Sequence, residues 1–452
     1  MFLLPCIFLL SFMVALWRTV VRHKPENSLL FFIFGLPIYI TALSLSYLYG
    51  FSKWIPFLQA TKEIIVLAAL IILLINRKTK LVLQPLDKLV LAFFLYNFIY
   101  ILIPVGSFGF FEKLLAFKGL CFFPFIYFTG RLMNPIQVDL NKYFHYICLI
   151  SIMAAVVLLG EVYHNEHLQI HTGYAVFSER FFGQEASGNY GLSWTFETSN
   201  GIKRFASFFS QPLEMGANTL LAISVITALA TGYKNKIKPD TFTWFAFAMT
   251  LLCIYFAFSR AAFASYFIIL YTYAHVTKRT LWLKIFHYGF LVTVIAFLFY
   301  ISGDVYEFIA GTIDFSDSSS AFHILQWLDG ITAIQTSPFG MGLGMSGRVS
   351  GEIGANIGGE NQLIIIGVQT GLISVGLYIA IYIYTIHLCF TSFRKYKGKI
   401  KKLALALLLV KTGMIMPTLT ANAESYNYVA YITWFFAGLL VSMQPTPEPK
   451  TL

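Results

Sequence analysis

The feature that most constrains this chain is a succession of apolar runs, most of them close to twenty residues long, separated by polar stretches in which lysine and arginine recur. A helix rising about 1.5 Å per residue crosses the hydrocarbon of a bilayer in roughly 20 residues. Lipid offers no partner to backbone N–H and C=O groups, so runs of this kind must pair them internally, as helices. The runs fall at 2–21, 29–49, 57–75, 89–105, 114–128, 143–162, 213–231, 242–258, 261–276, 285–301, 363–390, 403–419 and 426–443, which gives about thirteen spans. Of 452 residues, 58% are hydrophobic and 12% charged, so a soluble or disordered chain is excluded.

The net charge of +11 could signal a nucleic-acid partner, but its placement argues otherwise. Basic residues favour the cytoplasmic ends of spans. Arg18/Arg22/Lys24, Arg77/Lys78/Lys80/Lys88, Arg131/Lys142, Lys234/Lys236/Lys238, Lys278/Arg279/Lys284 and Arg394 to Lys402 all occupy alternate loops. The charge therefore reads as topology, with the N-terminus outside, the C-terminus in the cytoplasm and no nucleic acid as partner. Because Arg18, Arg22 and Lys24 follow the first apolar run, that run reads as a retained span, not a signal peptide. The five cysteines lie in or beside apolar stretches without metal-ligand spacing.

Residues 242–276 would make one helix of roughly 50 Å, too long for a single crossing. A break at Ser259-Arg260 restores the charge alternation, although the turn has neither Gly nor Pro. The expected organisation is N-terminal helices over 1–160, an outer loop over 161–212, central helices over 213–301, a larger outer loop over 302–360, C-terminal helices over 361–443 and a cytoplasmic tail over 444–452. The larger loop is expected to hold a helix over 320–336 with Ala321, Ile324, Leu325, Leu328, Ile331 and Ile334 on one apolar stripe.

Chemistry is expected on the outer side. Arg204 and Arg260 each precede an apolar run there, against the usual bias, and ask for an anionic partner. A bidentate clamp on phosphate or diphosphate is one reading, and snorkelling to lipid phosphate is the other. Glu360 follows Gly358-Gly359 and precedes an apolar helix, so it is either a general base or a favourable partner of the helix dipole. His323 is either a second proton carrier or a structural histidine. Gly340, Gly342 and Gly344 are expected to form a tight loop with exposed backbone amides. Lys411 and Glu424 either pair or line a cavity, and Lys62-Glu63 reads as a local pair.

Together, Arg204 with Phe208 and Pro212, Ser259-Arg260-Ala261, Ser319-Ser320 with His323 and Trp327, and Pro338 to Gly344 followed by Gly359-Glu360-Asn361 resemble the O-antigen polymerase and ligase family. These are membrane glycosyltransferases with a GT-C-like helical architecture, and the resemblance covers about residues 200–380. It implies a polyprenyl-diphosphate-linked oligosaccharide as donor and a second lipid-linked unit as acceptor, at the outer face of a bacterial inner membrane. A chain-length regulator and a flippase are further candidate partners. Ligases of the family carry a His-Asn pair where this chain has Glu360-Asn361, so the resemblance favours the polymerase branch. It casts Glu360 as general base, Arg204 and Arg260 as stabilisers of the leaving diphosphate, and His323, Asn361, Gly342 and Gly344 as substrate-binding. Transfer is expected to be inverting, without a cofactor or metal. The alternatives are a ligase or protein O-oligosaccharyltransferase of the same family and, from another class, a flippase of lipid-linked sugars.

Overall fold

A computed structural model describes residues 2–77, 81–198, 200–232, 235–299, 318–347 and 356–445, the side chains of 293–299 and 318–323 excepted. The architecture is helical throughout; among the described residues the only extended pairings are two isolated bridges, Glu197 with Lys203 and Thr231 with Ile237. Among the described residues, eight helices are long and apolar enough to cross a bilayer: Leu3–Val20, Pro25–Leu48, Ser52–Ile75, Pro85–Leu102, Leu140–His164, Pro212–Ala230, Gln362–Lys395 and Gly398–Thr420. This is the construction of a polytopic membrane protein. Thr241–Ala257, Arg260–Val276 and Asn427–Ser442 are shorter, at 17, 17 and 16 residues. The expected span at 114–128 is instead two short helices, Phe110–Cys121 and Phe123–Leu132, parted at Phe122 just before Pro124, whose ring cannot continue the preceding ladder.

The centre of the bundle is helix Asn427–Ser442, in which every residue from Tyr428 to Val441 is buried. It crosses Phe123–Leu132 with the backbones in contact. A Cβ on Gly130 would lie 2.0 Å from the Phe435 carbonyl oxygen, and one on Gly438 would lie 2.0 Å from that of Tyr127. Without a hydrophobic driving force between helices in lipid, small residues that permit such approach supply the packing. One turn from this crossing, the buried Asp87 carboxylate accepts from Arg131 Nε (3.0 and 3.1 Å), the Tyr127 hydroxyl (2.6 Å) and the Gln84 amide (2.8 Å). Four hydrogen bonds from three donors are what allow this carboxylate to remain inside the bundle.

The loops sort to two ends. At one end Lys402 Nζ donates to Asn141 (3.1 Å), Arg279 to the Asn235 carbonyl, Lys399 to the Pro135 carbonyl and Tyr143 to the Glu26 carbonyl (3.0 Å). These contacts gather the lysine- and arginine-rich loops, and this is called the basic end below. At the other end Thr41 donates to the Phe208 carbonyl (2.7 Å), Lys203 to the Asn165 carbonyl and Tyr100 to the Phe339 carbonyl.

Candidate functional site at the end opposite the basic loops

Arg204 and Arg260 arrive at the same place by different routes. The Arg204 amide donates to the Phe196 carbonyl (2.8 Å), and that of Phe205 donates to the Phe256 carbonyl (3.1 Å). The second bond ties the segment to the last turn of Thr241–Ala257. That helix stops as expected, and the turn without Gly or Pro is made by Phe258 in the left-handed region (φ 43°) and by Ser259, whose Oγ accepts from the Ala262 amide (3.3 Å). Arg260 then opens the next helix. Both arginines are half-buried.

The chain between Arg204 and Pro212 is held by groups that sequence reasoning did not single out. Glu161 accepts from the amides of Ser207 (2.7 Å) and Leu168 (2.8 Å), and Gln169 Nε2 donates to the carbonyls of Ser207 and Phe209 (both 2.8 Å). Ser207 takes a positive φ of 54°, a strain that these bonds hold in place. Ser210 then gives its amide (3.2 Å) and hydroxyl (2.6 Å) to Glu214 in the first turn of Pro212–Ala230. Two residues on, Gly216 packs against Ala262 and Ser259; a Cβ there would lie 3.0 and 3.7 Å from theirs. Gly216 thereby brings the first turns of Pro212–Ala230 and Arg260–Val276 together.

Glu360 is exposed and reaches the same region from the C-terminal helices. Gly358 and Gly359 take positive φ, and Gly359 lies so close to Gln326 that a Cβ would come within 2.3 Å of its Oε1. Asn361 caps Gln362–Lys395, its Oδ1 accepting from the amides of Leu363 (2.9 Å) and Ile364 (3.3 Å). Gln362 Oε1 accepts from the Glu424 amide (3.3 Å), fastening this start to the loop before Asn427. In that loop burial pushes the Tyr426 phenol up, and the carboxylates of Glu360 and Glu214 add to the shift. Tyr426 thus stands where both carboxylates act on it, and it joins the Glu360 arm of the site to the Glu214 arm. Neither Glu214 nor Tyr426 was singled out from sequence. A lone acid in the first turn of a helix looks like a dipole partner, and only the fold brings it near Glu360.

Two expectations meet a different arrangement. The glycine loop does not present free amides: those of Met341, Gly342 and Gly344 donate to Val368 O (2.7 Å), Gln369 O (3.0 Å) and Gln369 Oε1 (3.0 Å). Gly342, at φ 109°, abuts the Val105 carbonyl, where a Cβ would fall at 2.6 Å. The receiving surface exists because Gly371, at φ 80° and ψ −178°, interrupts the Gln362–Lys395 helix. The loop helix Ser318–Thr336 forms, but its expected stripe divides. Ile334 packs on Gly367 and Gly330 on Ile364, whereas Leu325, Leu328 and Ile331 are 61, 54 and 44% exposed. The side chain of His323 on this helix lies outside the described residues.

Lys411 and Glu424 meet through an aromatic ring. Glu424 accepts from Tyr378 (2.6 Å) and from Trp434 Nε1 (2.9 Å), and Lys411 Nζ stands 3.6 Å from the centre of that indole. Lys62 and Glu63 pair at 3.1 Å as expected, with Lys118 added at 3.2 Å.

Fold and site together define a helical, polytopic membrane protein with arginines and carboxylates assembled at the end opposite its basic loops. No protein-family model matches the chain, and comparison with curated proteins returns no relative.

Proposed function

We propose that the protein is a membrane glycosyltransferase that polymerises a bacterial surface polysaccharide, with about thirteen crossings, a GT-C-like arrangement and its site on the extracytoplasmic side. What supports the reading is that Arg204 adjoins the Phe205–Phe256 backbone bond just before the Ser259-Arg260 turn, and that Glu360 and Glu214 both bear electrostatically on Tyr426. An acceptor sugar hydroxyl attacks the anomeric carbon of the donor. The new C–O bond forms as the bond to the diphosphate breaks, the electron pair leaves with polyprenyl diphosphate, and the hydroxyl proton passes to Glu360. Preorganised arginines stabilise the charge that grows on the leaving group, and Arg204 and Arg260 supply them. The half-buried setting of both favours this work over that of fully solvated surface charges. Attack opposite the leaving group gives inversion. Asn361 and the glycines serve by fixing the position of Glu360 and the rim beside it.

The test is the glycan ladder of cells lacking the gene, complemented with wild type, Arg204→Ala, Arg260→Ala or Glu360→Gln at matched membrane levels. Roughly 100-fold or greater loss of chain extension is expected for each, leaving single repeat units. In membranes, wild-type extension is expected to persist in a chelator. Full ladders from all three variants would remove the proposed roles, and chelator-sensitive activity restored by a divalent ion would end the metal-free mechanism.

A further inference from the structure

At the basic end, a cavity of about 710 Å³ opens between the end of helix Leu3–Val20, the turn that follows it and the start of Leu140–His164. Its lining includes Arg18, Arg22, Lys24 and Lys142, against the carboxylates of Glu26 and Asp139. Asp139 is committed to capping a helix, accepting from the Lys142 amide (3.2 Å). The cationic excess therefore faces the cavity, and a neighbouring cavity of about 330 Å³ continues it with His23, Arg77 and Arg131.

The adjoining helix face identifies the occupant. Leu10, Met13 and Trp17 are 64, 61 and 47% exposed and fall at helical spacing on Leu3–Val20, while Phe8, Phe12 and Ala15 on the opposite face are buried. This apolar stripe runs down to the cavity and ends where the Arg22 guanidinium lies 4.8 Å from the centre of the Trp17 ring. The site thus combines cations for an anion with an apolar track leading into the bilayer.

We infer that this cavity binds the headgroup of an anionic glycerophospholipid of the phosphatidylglycerol type. The phosphodiester lies among Arg18, Arg22 and Lys142, and the acyl chains follow Leu10, Met13 and Trp17. Free phosphate would satisfy the cations but not the stripe. Basic pockets between spans hold lipid headgroups for the same electrostatic reason. The inference is independent of the protein's activity.

The experiment is native mass spectrometry of the purified full chain in detergent with added phosphatidylglycerol or phosphatidylcholine, alongside thermal unfolding with each lipid or with inorganic phosphate. Wild type is expected to retain phosphatidylglycerol selectively and to unfold at a higher temperature with it. The double variant Arg18→Gln/Arg22→Gln is expected to bind roughly 30-fold more weakly, taking about fivefold for each charge removed. Arg394→Gln/Lys395→Gln, which removes two charges from the basic loops without touching the cavity, is expected to bind as wild type does. Circular dichroism and gel filtration show whether each variant folds, and Trp17→Ala, expected to weaken retention of lipid but not any response to phosphate, replaces the double variant if it does not. Equal retention of both lipids, equal loss in the two charge variants, or stabilisation by phosphate alone would overturn the inference.

Discussion

His167 shows what burial does to a single side chain in the outer loop. It is fully buried, its ring lies 5.2 to 5.4 Å from those of Tyr190, Phe196 and Phe205, and neither nitrogen has a hydrogen-bond partner among the described residues. Burial, aided by the nearby Lys203 ammonium, pushes its pKa down to about 4. The folded loop therefore holds the neutral ring. Above the ordinary value near 6.5 nothing is lost, but as pH falls from there towards 4 the unfolded loop gains a proton that the folded one refuses, and stability declines. Limited proteolysis of the 161–210 loop across that window should show increasing cleavage in wild type and a flatter response in His167→Phe. Parallel curves would remove this histidine as the cause. Nothing in the sequence marks His167, because a histidine between loop residues acquires its cage only when Phe196 and Phe205 fold over it. Arg204, Arg260 and Glu360 stand out in the sequence because each breaks a local rule, a charge at the wrong end or edge of an apolar run, and such violations are visible without knowledge of contacts.

At the scale of elements, apolar length located helices but only one of their interruptions. The stop at Phe258 was legible because a crossing of roughly 50 Å has no place in a bilayer. The break at Gly371 was not, since Leu363 to Phe390 reads as one apolar run and only the arrival of Pro338 and Phe339 beside Gly371 requires it. The same reason hid the crossing of Asn427–Ser442 with Phe123–Leu132, where two glycines look incidental until the backbones touch. Gly438→Ala should cost roughly 3 kcal/mol, near the top of the range for overpacking, because its methyl meets a carbonyl and not a flexible side chain. Detergent-solubilised protein should show this as a lower unfolding temperature, with Gly376→Ala as a control, since no atom lies within 4 Å of a Cβ built there. Equal behaviour of the two variants would mean that the helices separate at little cost.

For the whole molecule, charge alternation along the sequence and the sorting of loops in space lead to the same division into two ends. Neither alone requires the other, since the alternation counts crossings and the sorting comes from contacts such as Lys402 with Asn141 and Thr41 with Phe208. In a Cys6→Ser background, where the remaining cysteines are buried, Asn165→Cys and Lys397→Cys should react with an impermeant maleimide from opposite faces of the membrane. Labelling of both from one face would break the proposed topology. The glycine-rich mouth has a consequence on another axis, time. Its Met341, Gly342 and Gly344 amides are held by Val368 and Gln369, so they should exchange with deuterium as slowly as the helix beneath them, although composition alone would place them with the fastest loops. Slow exchange there would make this loop a fixed edge of the proposed site; rapid exchange would turn the same glycines into a door.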